Sequence, residues 1–122
     1  MGIANNLGRI LIVKKTLSDT DIKNRRVLVR VDFNVPLTDG RISDDSRIRA
    51  VIPTIEYLRA QGSRVILCSH LGRPEGKIVP SMSLQPVALE LSRLMETEIG
   101  FVNDCIGANV SEAVSSLKDG EV

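Results

Sequence analysis

Residues 25–37, RRVLVRVDFNVPL, place the tightest limit on how this chain can fold. Val27, Leu28, Val29, Val31, Phe33 and Val35 form an almost unbroken β-branched and aromatic run, which Pro36 ends. Such a run predicts a strand covered on both faces of a parallel sheet. Asp32 and Asn34 interrupt it at its carboxyl end. A carboxylate and an amide are costly to bury without partners, so their expected place is the rim of the sheet, where open α/β folds present groups to ligands. Two residues apart on a strand, they share one side and can grip one ligand together, Asp32 accepting and Asn34 both accepting and donating. They are equally what begins a turn before Pro36, and from these residues alone both readings stand.

The rest of the chain repeats this format. Asp44, Asp45 and Ser46 supply helix-capping chemistry ahead of Ile48, Val51, Ile52, Ile55 and Leu58, which fall on one helical face. Pro53 predicts a short kinked first piece with a fresh helical turn after it, and Gly62 a glycine stop. Ser63–Cys68 is a second short apolar run that ends in SHLGRP, which makes a βαβ unit with two loops on the same rim. Leu84, Val87, Leu91, Leu94 and Met95 mark a second helix started by Pro86, Glu98–Val102 a third strand, and Val110, Ala113, Val114 and Leu117 a third helix. Thr38, Asp39 and Gly40 read as a turn, and Ile10–Ile22 as an edge segment. The fold class expected is therefore α/β: a Rossmann-like parallel sheet with helices on both faces, incomplete at its carboxyl end, where the chain stops on an approach to a further strand.

With 122 residues the chain can bury one modest core. Sixteen basic residues against 15 acidic ones give a net charge of +1, which points away from nucleic-acid and membrane surfaces, so any basic site must be local. Ile10–Val13 is too short for a membrane span or a signal-peptide core, and a cytoplasmic location is the expectation. Cys68 and Cys105 stand at no metal-ligand spacing and suit a compartment that keeps thiols reduced. Two Phe, one Tyr and no Trp give no platform for stacking bases.

Five residues gather on the expected rim: Asp32 and Asn34 after the first strand, Arg47 at the first helix start, and His70 and Arg73 after the second strand. A helix amino terminus favours anions, and a guanidinium there adds a planar fork for a carboxylate or phosphate. Each has a plainer reading: Arg47 as a solvated arginine, His70 as a satisfied loop histidine, Arg73 as a surface charge. Gly72 and Pro74, however, make a tight loop that would aim His70 and Arg73 inward. Neither GxxxxGK[ST] nor GxGxxG occurs, so no nucleotide motif is visible. The local chemistry points to a small anionic ligand with phosphate and carboxylate ends.

RVLVRVDFNVPL, DDSRIRAVIPTIEYL, VILCSHLGRPEG, SLQPVALELSRLM and FVNDCIG, in this order, resemble the amino-terminal domain of phosphoglycerate kinase. The resemblance covers residues 12–122, leaves 1–11 as a loose leader, and rests most specifically on VDFNVP with SHLGRP. It implies a partial 3-phosphoglycerate-binding domain, with the domain that binds Mg-ATP or Mg-ADP absent, and 3-phosphoglycerate or 1,3-bisphosphoglycerate as ligand. Carried over by motif, Asp32 and Asn34 would bind the hydroxyl and carboxyl region of the glycerate. Arg47 would meet the reacting carboxyl or acyl phosphate in a catalytic role, and His70 and Arg73 would hold the 3-phosphate. In the direction that consumes ATP the nucleophile is a carboxylate already ionised near neutral pH. Catalysis then reduces to alignment and charge neutralisation, with no general base.

The family pattern departs at three places. A further strand resembling LLLENxRF, which carries another substrate arginine, would follow GEV; Ala108 and Asn109 stand where the family often has Pro and Glu; and the nucleotide half is missing. The resemblance implies a fragment of a kinase that is monomeric when complete and inactive as this chain alone. The alternative expectation is a stand-alone, non-catalytic phosphoglycerate-binding or interaction protein.

Overall fold

The computed structural model describes residues 2–4, 10–12 and 14–122. Strand β1 (Gly2–Ala4) pairs antiparallel with β2 (Ile10–Ile12). The leader expected over 1–11 thus holds paired backbone at 2–4 and 10–11, and residues 1 and 5–9 lie outside the described residues. A 3-10 turn at Leu17–Asp19 follows, closed by the Asp19 carboxylate on the Thr16 N–H and hydroxyl.

The central sheet joins β3 (Arg26–Arg30) to a later strand by way of a small hairpin and a helix. In the hairpin, β4 (Leu37–Thr38) pairs with β5 (Arg41–Ile42) across Asp39 and Gly40. Both turn residues have positive φ, +51° and +74°. This is the mirror-image turn that suits the twist of a two-residue hairpin. Helix α1 (Ser46–Ala60) starts where the Asp44 carboxylate accepts the Ser46 N–H at 2.9 Å. Pro53 sits inside α1 without dividing it, against the expectation of a kinked first piece. The ring removes one hydrogen bond, but Ile48, Ile55 and Leu58 are fully buried on either side of it and hold both halves to the same core. At the far end Gly62, with φ +71°, donates to Arg59 O at 2.9 Å while Ser63 donates to Leu58 O at 3.1 Å, a glycine-closed helix end.

Strand β6 (Arg64–Cys68) then lies parallel to β3, Arg26 opposite Arg64 through Arg30 opposite Cys68. Helix α2 (Gln85–Met95) buries Val87 and Leu91 and ends on left-handed Glu96, and α3 (Ala108–Ser116) follows. The chain is thus α/β with a parallel βαβ core. That core joins Val31, Phe33 and Val35 to Ile48, Ile55, Leu58, Val65, Val87 and Leu91, with Val27, Val29 and Leu67 packed against it.

Two further expectations change. Strand β3 is not covered on both faces: Val27 and Val29 are half-buried, but Arg26, Leu28 and Arg30 are exposed, Leu28 at 68%. Helices α1 and α2 build the core around the Val27 and Val29 side, whereas Val110, Ala113 and Val114 of α3 stand apart, lining a groove of about 1320 Å³ together with Leu28 and Ile66. Glu98–Val102 forms no strand ladder either. The carboxyl end runs between this segment and β6 instead: Val65 N–H donates to Glu121 O at 2.9 Å and Gly100 N–H to Val122 O at 3.0 Å. Gly120 N–H also donates to Ser63 O at 2.9 Å, so the tail follows β6 by two bonds but meets the 98–102 segment by one, too few to register a strand there.

Candidate functional site

The site forms where the backbone leaves the two parallel strands. After Arg30 the chain stays extended, Val31 N–H donating to Cys68 O at 3.0 Å. Val31, Phe33 and Val35 turn inward, at 8%, 5% and 4% exposure. Strict alternation then sends Asp32 and Asn34 to the other side, where Asp32 is exposed and Asn34 half-buried. Val35 N–H bonds back to Phe33 O at 2.9 Å, a tight turn that ends the extended run.

Arg47, in the first turn of α1, reaches this segment. Its Nη1 donates to Asn34 O at 2.6 Å and lies 3.3 Å from Asp32 Oδ1, which also accepts the Asn34 N–H at 3.2 Å. The Arg47 and Asp32 side chains remain 53% and 64% exposed, so their ion pair is weak and open to exchange for a ligand. Arg49, two residues further along α1, is paired with Asp45 at 3.0 Å, as suits a plain surface charge. Beside them the Ser46 N–H holds the Asp44 carboxyl below the usual carboxylate range.

The second loop closes against the first. Asn34 Oδ1 accepts the Gly72 N–H at 2.9 Å, and the Ser69 hydroxyl accepts the Phe33 N–H at 3.0 Å. Gly72 has φ +64°, and a Cβ there would come within 3.1 Å of Met82 Sδ, so both conformation and space favour glycine. Leu71 is buried at 7% and anchors the loop between exposed His70 and exposed Arg73.

The expected residues therefore fall into two linked sets. Asp32, Asn34 and Arg47 meet directly; His70 belongs to the loop bound to Asn34; and Arg73, on that same loop, makes no ion pair among the described residues. Arg30 joins them although the sequence reading left it out: its Nη2 lies 2.8 Å from His70 Nδ1. A guanidinium only donates, so His70 Nδ1 accepts, and a neutral ring carries its proton on Nε2. The signal was available, because residue 30 has the same parity as 32 and 34. The resulting surface offers guanidinium, imidazole and amide donors to an anion. No group of three or more His, Cys, Asp or Glu residues is placed to hold a metal among the described residues, and no helix there is long and apolar enough to cross a membrane.

Comparison with known proteins agrees with this geometry. The phosphoglycerate kinase family model matches residues 17–122. Phosphoglycerate kinases of Moorella thermoacetica and Gloeothece citriformis are each 56% identical, over 91% and 89% of this chain. The chain spans about 28% of the length of these curated relatives. Among solved structures, the Pyrococcus horikoshii phosphoglycerate kinase superposes with a TM-score of 0.79 at 36% identity, covering 87% of this chain and 26% of that one. The Coxiella burnetii enzyme gives 0.73 at 36% identity, covering 86% of this chain and 25% of that one. Motif order, parallel βαβ core and matched family model lead to one conclusion: this chain belongs to the phosphoglycerate kinase family.

Proposed function

We propose that this chain supplies phosphoglycerate-binding residues to a phosphoglycerate kinase, which transfers a phosphoryl group reversibly between 1,3-bisphosphoglycerate and ADP to give 3-phosphoglycerate and ATP. The observation that carries this reading is the junction of the two rim loops, where Arg47 holds Asn34 O and Asn34 Oδ1 holds the Gly72 N–H. One small anion with a charged group at each end can then touch both loops at once. His70, through Nε2–H, and Arg73 hold the non-reacting phosphate; Asp32 and Asn34 engage the hydroxyl and carboxyl region; Arg47 faces the reacting carboxyl.

The chemistry asked of these residues is modest. A carboxylate nucleophile is ionised at neutral pH and needs no base, so alignment and neutralisation of charge are what remain to be supplied. Arg47 fits that role because a guanidinium stays charged and presents a fork to oxygen pairs. Mg-ATP or Mg-ADP supplies or accepts the phosphoryl group. The described residues offer neither a metal cluster nor a glycine-rich phosphate loop for it, and in this reading it is held by a nucleotide-binding domain of the complete, monomeric, cytoplasmic enzyme.

The test is a titration of 3-phosphoglycerate into the 122-residue chain, followed at the ring of its single histidine and at the Gly72 amide. Saturable shifts at both are expected, with no ATP-dependent turnover by the chain alone. Absence of saturable shifts would remove the substrate assignment, and turnover by the isolated chain would refute the division of labour.

A further inference from the structure

The two rim loops come from segments far apart in sequence, and one hydroxyl touches both. Ser69 Oγ accepts the Phe33 N–H at 3.0 Å and donates to its neighbour His70 O at 3.0 Å. Phe33 lies between Asp32 and Asn34 and is buried at 5%, so this amide has little access to water as a substitute partner. Ser69 itself is half-buried, the first residue after β6 and the one before His70. Its hydroxyl therefore pins the carboxyl end of the first strand's extension to the backbone that carries the histidine. The neighbouring bond from Gly72 N–H to Asn34 Oδ1 ties the same loops at one further point.

We propose that Ser69 is a positioning residue of the anion site: it sets the spacing between the Asp32, Asn34 and Arg47 group and the His70 and Arg73 group without touching the ligand. This rests on the functional reading above. A hydroxyl is suited to the task because it accepts and donates at once, and no apolar residue of its size does both. A ligand that spans both loops depends on their spacing, whereas an anion held by one loop does not. Ser69 thus governs which anions the site prefers: it favours a molecule with two charged ends over a single phosphate.

The experiment compares the chain as it stands with Ser69→Ala and Ser69→Thr, titrating each with 3-phosphoglycerate and, separately, with inorganic phosphate. The ring signals of His70 and the exchange rate of the Phe33 amide are followed. Ser69→Ala is expected to weaken 3-phosphoglycerate roughly tenfold while leaving inorganic phosphate nearly unchanged, and to speed exchange at Phe33. Ser69→Thr, which keeps the hydroxyl, restores both. Equal weakening of the two ligands, or unchanged Phe33 exchange in a folded Ser69→Ala chain, would overturn the positioning role. If the unsubstituted chain does not bind 3-phosphoglycerate at all, the functional reading fails separately, and the loop tie is still decided by Phe33 exchange and its recovery in Ser69→Thr.

Discussion

Asn34 Oδ1 accepts the Gly72 N–H at 2.9 Å, so one side chain on the first rim loop fixes the backbone of the second, 38 residues later. Its amide NH2 takes part in no hydrogen bond among the described residues, and in the proposed function it is the end that meets the ligand. The two ends of this side chain therefore do different work, and two substitutions separate them. Asn34→Ala leaves the Gly72 amide without its acceptor, and a loss of about 1 kcal/mol in urea unfolding is expected together with weaker 3-phosphoglycerate binding. Asn34→Asp keeps an acceptor for Gly72, so stability should hold near that of the parent. Its added negative charge should still repel a carboxylate ligand, and undiminished binding in Asn34→Asp would show that the amide does not meet the substrate.

Arg47→Ala tests charge neutralisation. Both partners of the Arg47–Asp32 pair are more than half exposed, and the bond from Arg47 to Asn34 O is lost with them, so the variant should lose about 1–2 kcal/mol of stability. Turnover should fall by about 100-fold or more when the substitution is placed in a complete kinase of this family. Normal turnover would remove Arg47 from its proposed catalytic role.

Gly62→Ala tests the closing of α1. The residue has φ +71°, and a Cβ there would lie 2.6 Å from Asn24 Nδ2, which itself donates to Asp119 at 2.9 Å. The strained backbone and the displaced amide should together cost roughly 1–3 kcal/mol, read as a lower urea midpoint with unchanged slope. A change near zero would mean that Asn24 and its partner move aside freely.

The start of α1 should be sensitive to acid. The Ser46 N–H stabilises ionised Asp44 and holds its carboxyl below the usual carboxylate range. At neutral pH both folded and unfolded states are ionised and the native bond is intact, so its contribution is fully present. As pH falls through the ordinary aspartate value, near 4, the unfolded state takes up the proton first, and the contribution fades until the folded group also protonates. Asp44→Asn should therefore lower stability most at neutral pH and converge with the parent under acid conditions. A difference that stays constant down to pH 2 would indicate a cause other than this carboxylate.

Local chemistry in the sequence determined most of the elements and the rim. Alternating Val31, Phe33 and Val35 place Asp32 and Asn34 on the opposite side, Asp44 to Ser46 start a helix, and Gly62 stops one, because each signal acts within a turn or two of its own residue. VDFNVP and SHLGRP likewise named the loops that the structure joins through Asn34 and Gly72. Tertiary structure decided what depends on neighbours distant in the chain. Leu28 reads as core, but its exposure is set by how far α3 stands from the sheet, which no local pattern encodes. Pro53 reads as a break, yet burial of Ile48, Ile55 and Leu58 carries the helix through it. Arg30 became part of the site only because β3 and β6 lie side by side, bringing its guanidinium to His70 across 40 residues of chain. Propensity and capping are contests between neighbouring residues, and the sequence holds both contestants. Burial and side-chain pairing are settled by the packing of separate segments, which exists only once the chain has folded.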